Sequence, residues 1–301
     1  MFASILINIL EEGFIYGIMA MGVYITYAVL DFPDLSVDGT LPLGACVTGV
    51  LIAAGVNPVL ALLVSFLAGC AAGACTGLLH VKLGIRDLLS GILVMTALLT
   101  INLLVTGKQS VIYINKLPTI FTDGLVTLLP EALYAYRRVI ILLIVVAAVK
   151  LVMDLFFKTR LGLLLRASGS NLQYVTSLAV NPGHMKILGL TLGNGLTALA
   201  GSVLAQQARS ASVSSGTGMV VMGLASVIIG TTLFKRVRFI KATTQVVIGS
   251  LVYKACLAIA TLLKLDTVYL KLLMSVLFII ALVGGRALEK RGKGGHRHVH
   301  G

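Results

Sequence analysis

Tryptophan is absent from the 301 residues, and charge is scarce: Asp, Glu, Lys and Arg make up 12% of the chain. A soluble domain carries roughly 25%. With 58% of residues hydrophobic and a mean hydropathy of +1.02, the sequence has too little polar surface to solvate a globular domain. Other absences exclude chemistries. No G-x-x-x-x-G-K-[ST] loop occurs, so the chain is not expected to hydrolyse nucleotide itself. Nor is there an H-E-x-x-H helix or a serine elbow, and no catalytic residues are assigned. The four cysteines (Cys46, Cys70, Cys75 and Cys256) all fall in apolar stretches, where small buried hydrophobes are expected rather than disulfides or metal ligands. MFASILINILEEG lacks a basic n-region and puts Glu11 and Glu12 where a cleavage site would stand, so its apolar segment is expected to be retained.

What the chain does contain is long apolar runs. They fall near 13–30, 41–56, 58–80, 88–106, 139–157, 187–206, 218–234, 242–263 and 271–285, and runs such as LLSGILVMTALLTINLLVTG show no strand-like alternation. About nine transmembrane helices are expected, because a helix satisfies its own backbone in lipid. Of the 24 basic residues, 15 lie in 80–87, 158–186, 235–241 and 286–301, which marks those stretches as cytoplasmic, with the N-terminus outside and the C-terminus inside. The net charge of +13 is then a record of topology, with some attraction to membrane lipid, and no nucleic-acid partner is implied.

Against this background DFPDLSVDGT, residues 31–40, stands out. The following apolar segment, 41–56, reaches only about 24 Å at 1.5 Å per residue, short of a hydrocarbon core of about 30 Å. The stretch is therefore expected to dip into the membrane as a non-helical link, with Pro33, Gly39 and Pro42 breaking the helix. Irregular backbone at depth must be buried in protein or line a water-filled cavity. Asp31, Asp34, Ser36, Asp38, Gly39 and Thr40 are candidates for a translocation pathway; the same residues would also serve as caps between two helices. A second interrupted element begins at 207, QARSASVSSGTGMVVMGLASVIIG, running opposite to the first. Lys254 falls near a membrane midplane, where an ammonium is paired or faces water, unless it snorkels. Lys150 and Asp154 are spaced to pair, and Asn102 and Asn194 read as amides linking helices.

The stretch 158–186 is too polar to span. Ser170 and Gln173 form a capping-box pattern, followed by Leu172, Val175, Leu178 and Ala179 at helical spacing and by Asn181-Pro182-Gly183 as a stop. This predicts an amphipathic helix of about three turns, suited to a groove on a partner or to a lipid surface. Loop 107–138, with turns at Pro118, Asp123-Gly124 and Pro130, reads as a partner-docking loop or a connector. The tail at 287–301, with three alternating histidines, is expected to be disordered rather than a metal site.

GVYITYAVLDFPDLSVDGTLPLGA, TRLGLLLRASGSN, AVNPGHMKILGL, LGNGLTALAGSVLAQQ and GMVVMGLASVIIG together resemble ABC importer permeases of the branched-chain amino acid and ribose permease superfamily, in particular a single-permease branch linked to amino acid uptake, including aromatic ones. The resemblance covers nearly the whole chain. It implies one all-α polytopic permease domain over 1–301, with interrupted helices in two inverted halves, in a bacterial cytoplasmic membrane. It further implies that 158–186 is a coupling loop, with Ser170, Asn171, Leu172, Gln173, Val175, Leu178 and Ala179 meeting the ATPase. The implied partners are a second copy of the chain, an ATPase dimer that binds ATP and magnesium, and an external substrate-binding lipoprotein. This chain itself would hold no cofactor. Members of that branch tend to carry acidic residues where this chain has Ser170 and Thr231. The alternative reading is an ion-coupled secondary transporter of a small polar solute, using the aspartates and Lys254.

Overall fold

The computed structural model describes residues 2–115, 117–123, 136–170, 172–234 and 239–262, with isolated positions between 272 and 283. Ten α-helices and one two-stranded ribbon are described: α1 (Phe2–Val23), α2 (Val37–Ala53), α3 (Pro58–Val81), α4 (Asp87–Val105), β1 (Val111–Tyr113), α5 (Arg137–Phe156), α6 (Arg160–Ser170), α7 (Leu172–Ser177), α8 (Pro182–Ala208), β2 (Ser210–Ser212), α9 (Met219–Leu233) and α10 (Ala242–Leu262). A π-helical turn, Tyr24–Val29, continues α1. Six helical stretches are long and apolar enough to cross a membrane, and α2 and α9 are shorter apolar helices. The protein is an all-α polytopic membrane protein. Eight of the nine expected spans correspond to described helices; the ninth, 271–285, falls almost wholly outside the described residues, as do the tail, Asn171, Gly124 and Pro130.

Helix α8 is the axis. It packs against α1, α2 and α3, while α1 also packs against α5, α9 and α10. Lipid tails are as apolar as leucine, so burial does not drive these contacts; close backbone approach does. The small residues provide it. A Cβ on Gly44 would strike the Ala198 carbonyl, and one on Gly201 would strike that of Leu41, so the α2 and α8 backbones touch. Thr48 of α2 completes the seam, its hydroxyl bonded to Ser65 of α3 at 2.7 Å and to Ser202 of α8. Outward-facing Leu104, Leu151 and Leu155 remain exposed, as a lipid-facing surface requires.

Two ends can be told apart. At one, β1 and β2 pair antiparallel, Ile112 opposite Ala211, tying the loop after α4 to the chain after α8. The other end carries α6 and α7. There a Cβ on Gly169 would collide with the Val29 carbonyl, which seats α6 directly on the π-helical turn.

Several local expectations change. Ser170 closes α6: its hydroxyl donates back to the Arg166 carbonyl at 3.2 Å and does not start a helix with Gln173. The expected three-turn helix is the six-residue α7, preceded by the longer α6. Asn181-Pro182-Gly183 opens α8 instead of merely stopping α7: the Asn181 side chain accepts from the Gly183 amide at 2.8 Å, with Pro182 at the first helical position, where its missing N–H costs nothing. The non-helical link ends at Ser36, so Gly39, Thr40 and Pro42 lie in the first turns of α2 and do not break it. All four cysteines are free, but only Cys46 is fully buried and Cys75 is exposed on α3.

Candidate translocation site

Helices α2 and α9 are too short to cross a bilayer, with 17 and 15 residues. At 1.5 Å per residue they reach about 26 and 22 Å. They run in opposite directions, and their N-termini meet in the interior. One side chain joins them. Asp38, in the first turn of α2, accepts from the amides of Gly218 at 2.9 Å and Val220 at 2.8 Å, capping α9 from across the bundle. Gly218 has φ +86°, a left-handed conformation that glycine adopts without strain. The carboxylate offsets the partial positive charge of the helix N-terminus, a favourable placement in a low-dielectric interior.

The other aspartates have different work. Asp34 is buried; its Oδ1 accepts from the Ser36 amide at 2.8 Å and its Oδ2 from Asn194 Nδ2 at 2.7 Å. Asn194 also donates to the Leu190 carbonyl and accepts from the hydroxyls of Ser36 at 3.1 Å and Thr40 at 2.8 Å. Both ends of that amide are therefore filled. It stands twelve residues into α8 from Pro182, about 18 Å along the helix and close to mid-depth. Asp34, Ser36, Thr40 and Asn194 form one closed polar knot holding the link to α8. Asp31 belongs to neither group: it is exposed, with φ +54°, at the turn out of the first span. An aspartate tolerates that left-handed conformation better than most residues.

Beside the α2–α9 junction lies a cavity of about 540 Å³. Asp38, Thr96, Asn102, Ser214 and Thr217 supply its polar wall, and Met95, Leu99 and Leu103 its apolar one. Gly39 lets α4 come close, since a Cβ there would stand 2.9 Å from Leu98 Cβ. Asn102 Nδ2 donates to the Gly39 carbonyl at 3.1 Å, so this amide also links two helices.

Lys254 is remote from this cavity. Its ammonium lies 2.6 Å from Glu12 Oε2 and 4.2 Å from the Tyr16 ring centroid, on the α1–α10 face. The lysine is thus paired, by an acid the sequence reading left among the terminal residues; the α1–α10 packing that joins them is a tertiary fact with no local signal. Lys150 and Asp154 pair at 3.0 Å, and Asp154 also receives Lys241 at 2.9 Å and the Thr243 hydroxyl at 2.6 Å. That hub locks the end of α5 to the start of α10 beside α6. In the 158–186 segment Val175 is fully buried, whereas Gln173 and Leu178 are exposed and Ala179 ends α7 with φ +57°. Val175 therefore holds α7 down, and of the predicted coupling residues Ser170, Gln173, Leu178 and Ala179 are turned outward. Among the described residues no group of three His, Cys, Asp or Glu side chains is placed to hold a metal.

Opposed short helices meeting at a polar junction inside an apolar bundle fit the architecture of a membrane transport subunit. The chain belongs to the family described as the branched-chain amino acid transport system permease component, whose model matches residues 5–282. It is similar to a tyrosine transport system permease protein of Clostridioides difficile, 41% identical over 280 residues, which cover 93% of this chain and 91% of that one. It is also similar to the ribose import permease protein of Escherichia coli, 28% identical over 233 residues, covering 75% and 69% respectively. An autoinducer 2 import system permease protein of Salmonella typhimurium matches at 29% over 197 residues, covering 65% of this chain and 54% of that one. No solved structure gives a significant match.

Proposed function

We propose that the chain is the permease subunit of an ATP-driven importer of amino acids, with the α2–α9 junction on its translocation pathway. The observation that carries this reading is the 41% identity to a tyrosine permease along nearly the whole of both chains. The junction supports it, because two short helices capped through Asp38 can separate without unfolding either one. The working unit in this reading is two copies of the chain with two ATPase subunits, fed by an external binding protein. ATP and magnesium sit on the ATPase, and this chain performs no chemistry of its own. The outward ones of the predicted coupling residues, Ser170, Gln173, Leu178 and Ala179, meet the ATPase, and the arrangement of α6 on the π-helical turn carries the push towards the link and Asp34. In this reading 1–301 acts as a single domain. The N-terminus lies outside and the C-terminus in the cytoplasm.

The test is purification of the full chain from its own membranes in mild detergent, with every co-purifying chain identified and counted, followed by uptake of labelled L-tyrosine in proteoliposomes. Two copies with two P-loop ATPases, and uptake that requires ATP, is the expected result. Uptake by the chain alone, collapsed by an uncoupler, would replace the importer with an ion-coupled carrier.

A further inference from the structure

Asn102 is 1% exposed, and its Oδ1 has no hydrogen-bond partner among the described residues. The Gly39 carbonyl can only accept, so the amide nitrogen must face it and the oxygen must face away. An unpaired buried carbonyl is costly, and the other fully buried amides, Asn194 and Gln206, are paired at both ends, so this atom calls for a partner; the Tyr253 hydroxyl on α10 is the other unpaired buried side-chain atom among the described residues. Asn102 is part of the wall of the 540 Å³ cavity beside Asp38. The missing partner is a donor arriving from that cavity.

The charge around it specifies the donor. Among the described residues no Lys, Arg or His lines the cavity. Each of the two helix N-termini contributes roughly half a positive charge, while Asp34 and Asp38, when ionised, contribute a full negative charge each, leaving the junction negative by about one. A cation is favoured there and a lone anion is not. We propose that this cavity holds the primary ammonium of a transported molecule, with Asn102 Oδ1 accepting one of its N–H bonds and the Asp38 charge close by. The hydroxyls of Thr96 and Thr217 already give their protons to backbone carbonyls, Thr96 within α4 and Thr217 to Ser214, while Met95, Leu99 and Leu103 offer an apolar wall to a side chain. The ligand class is a primary ammonium compound with an apolar or aromatic side chain, an amino acid in the importer reading. This rests on the importer reading and adds to it a specificity-determining residue, Asn102. The oxygen is sheathed by the wall, so seating a donor on it goes with a widening of the cavity, which a transport cycle supplies.

The experiment uses the full chain in lipid nanodiscs and saturation-transfer NMR with three probes: L-tyrosine, tyramine, which keeps the ammonium and lacks the carboxylate, and 3-(4-hydroxyphenyl)propanoate, which lacks the ammonium. L-Tyrosine and tyramine are expected to bind and the propanoate not. Asn102→Leu is expected to weaken both by about tenfold or more, the worth of one charge-assisted hydrogen bond. Because that variant also loses the bond to Gly39, Met95→Trp is run beside it, filling the cavity while leaving the amide intact; it too should abolish binding. Propanoate binding equal to that of L-tyrosine, binding untouched by both variants, or no binding of any probe to the wild-type chain each overturns the proposal. If these fail while uptake still requires ATP, the ammonium site falls and the importer stands. Uptake without ATP would remove the importer whatever the binding shows.

Discussion

Each aspartate of DFPDLSVDGT answers to a different physical demand, and one asparagine decides how firmly the stretch is held. Asn194 feeds Asp34 with a donor while its oxygen takes the hydroxyls of Ser36 and Thr40. Replacing it with leucine keeps the volume but leaves a buried carboxylate short of a partner and two hydroxyls without an acceptor. The expected cost is about 3–5 kcal/mol, the range for breaking a buried charged interaction from one side. Denaturant unfolding of the purified protein in micelles measures it. A loss below about 1 kcal/mol would mean that water replaces the amide freely and that the knot is not closed. That the stretch needs a physical account was legible from composition alone, because carboxylates in so apolar a chain require an explanation. Which one pairs with what was not. The partners of Asp34 and Asp38 lie 160 and 180–182 positions away, on α8 and at the start of α9, and no periodicity encodes them.

At the scale of elements, hydrophobic length located the spans well, since a bilayer imposes one thickness on every helix. Where lipid exerts no such constraint the reading was weaker. The 158–186 segment shows this: its spacing predicts one amphipathic helix, whereas α6 packs beneath the bundle and α7 is a six-residue remnant too short to be stable without tertiary contacts. Periodicity could not tell which apolar residues of α7 turn inward. The structure separates Val175, fully buried, from Leu178, which is 48% exposed. Two variants follow. Val175→Glu buries an unpaired charge and is expected to lower stability by about 2–4 kcal/mol, read as a fall in the thermal midpoint. Leu178→Glu should leave that midpoint unchanged and instead strip the ATPase during co-purification. An ATPase that stays bound to the Leu178→Glu protein would move the docking surface away from α7.

At the scale of the whole molecule, the two ends of the bundle differ in what they present. One carries the β1–β2 ribbon with Lys108, Arg137, Arg138 and Arg209; the other carries α6 with Lys82, Arg86, Lys158, Arg160, Arg166, Lys186 and Lys241. Basic residues are retained on the cytoplasmic side during insertion, so the proposed orientation puts the α6 end in the cytoplasm. The inference is testable without any ligand. Gln109 beside the ribbon and Arg160 at the start of α6 are both exposed, at opposite ends. In a background with the four native cysteines replaced, Gln109→Cys is expected to react with a membrane-impermeant maleimide on intact cells, and Arg160→Cys only after permeabilisation. The reverse pattern would invert the molecule and place 158–186 outside, out of reach of a cytoplasmic ATPase.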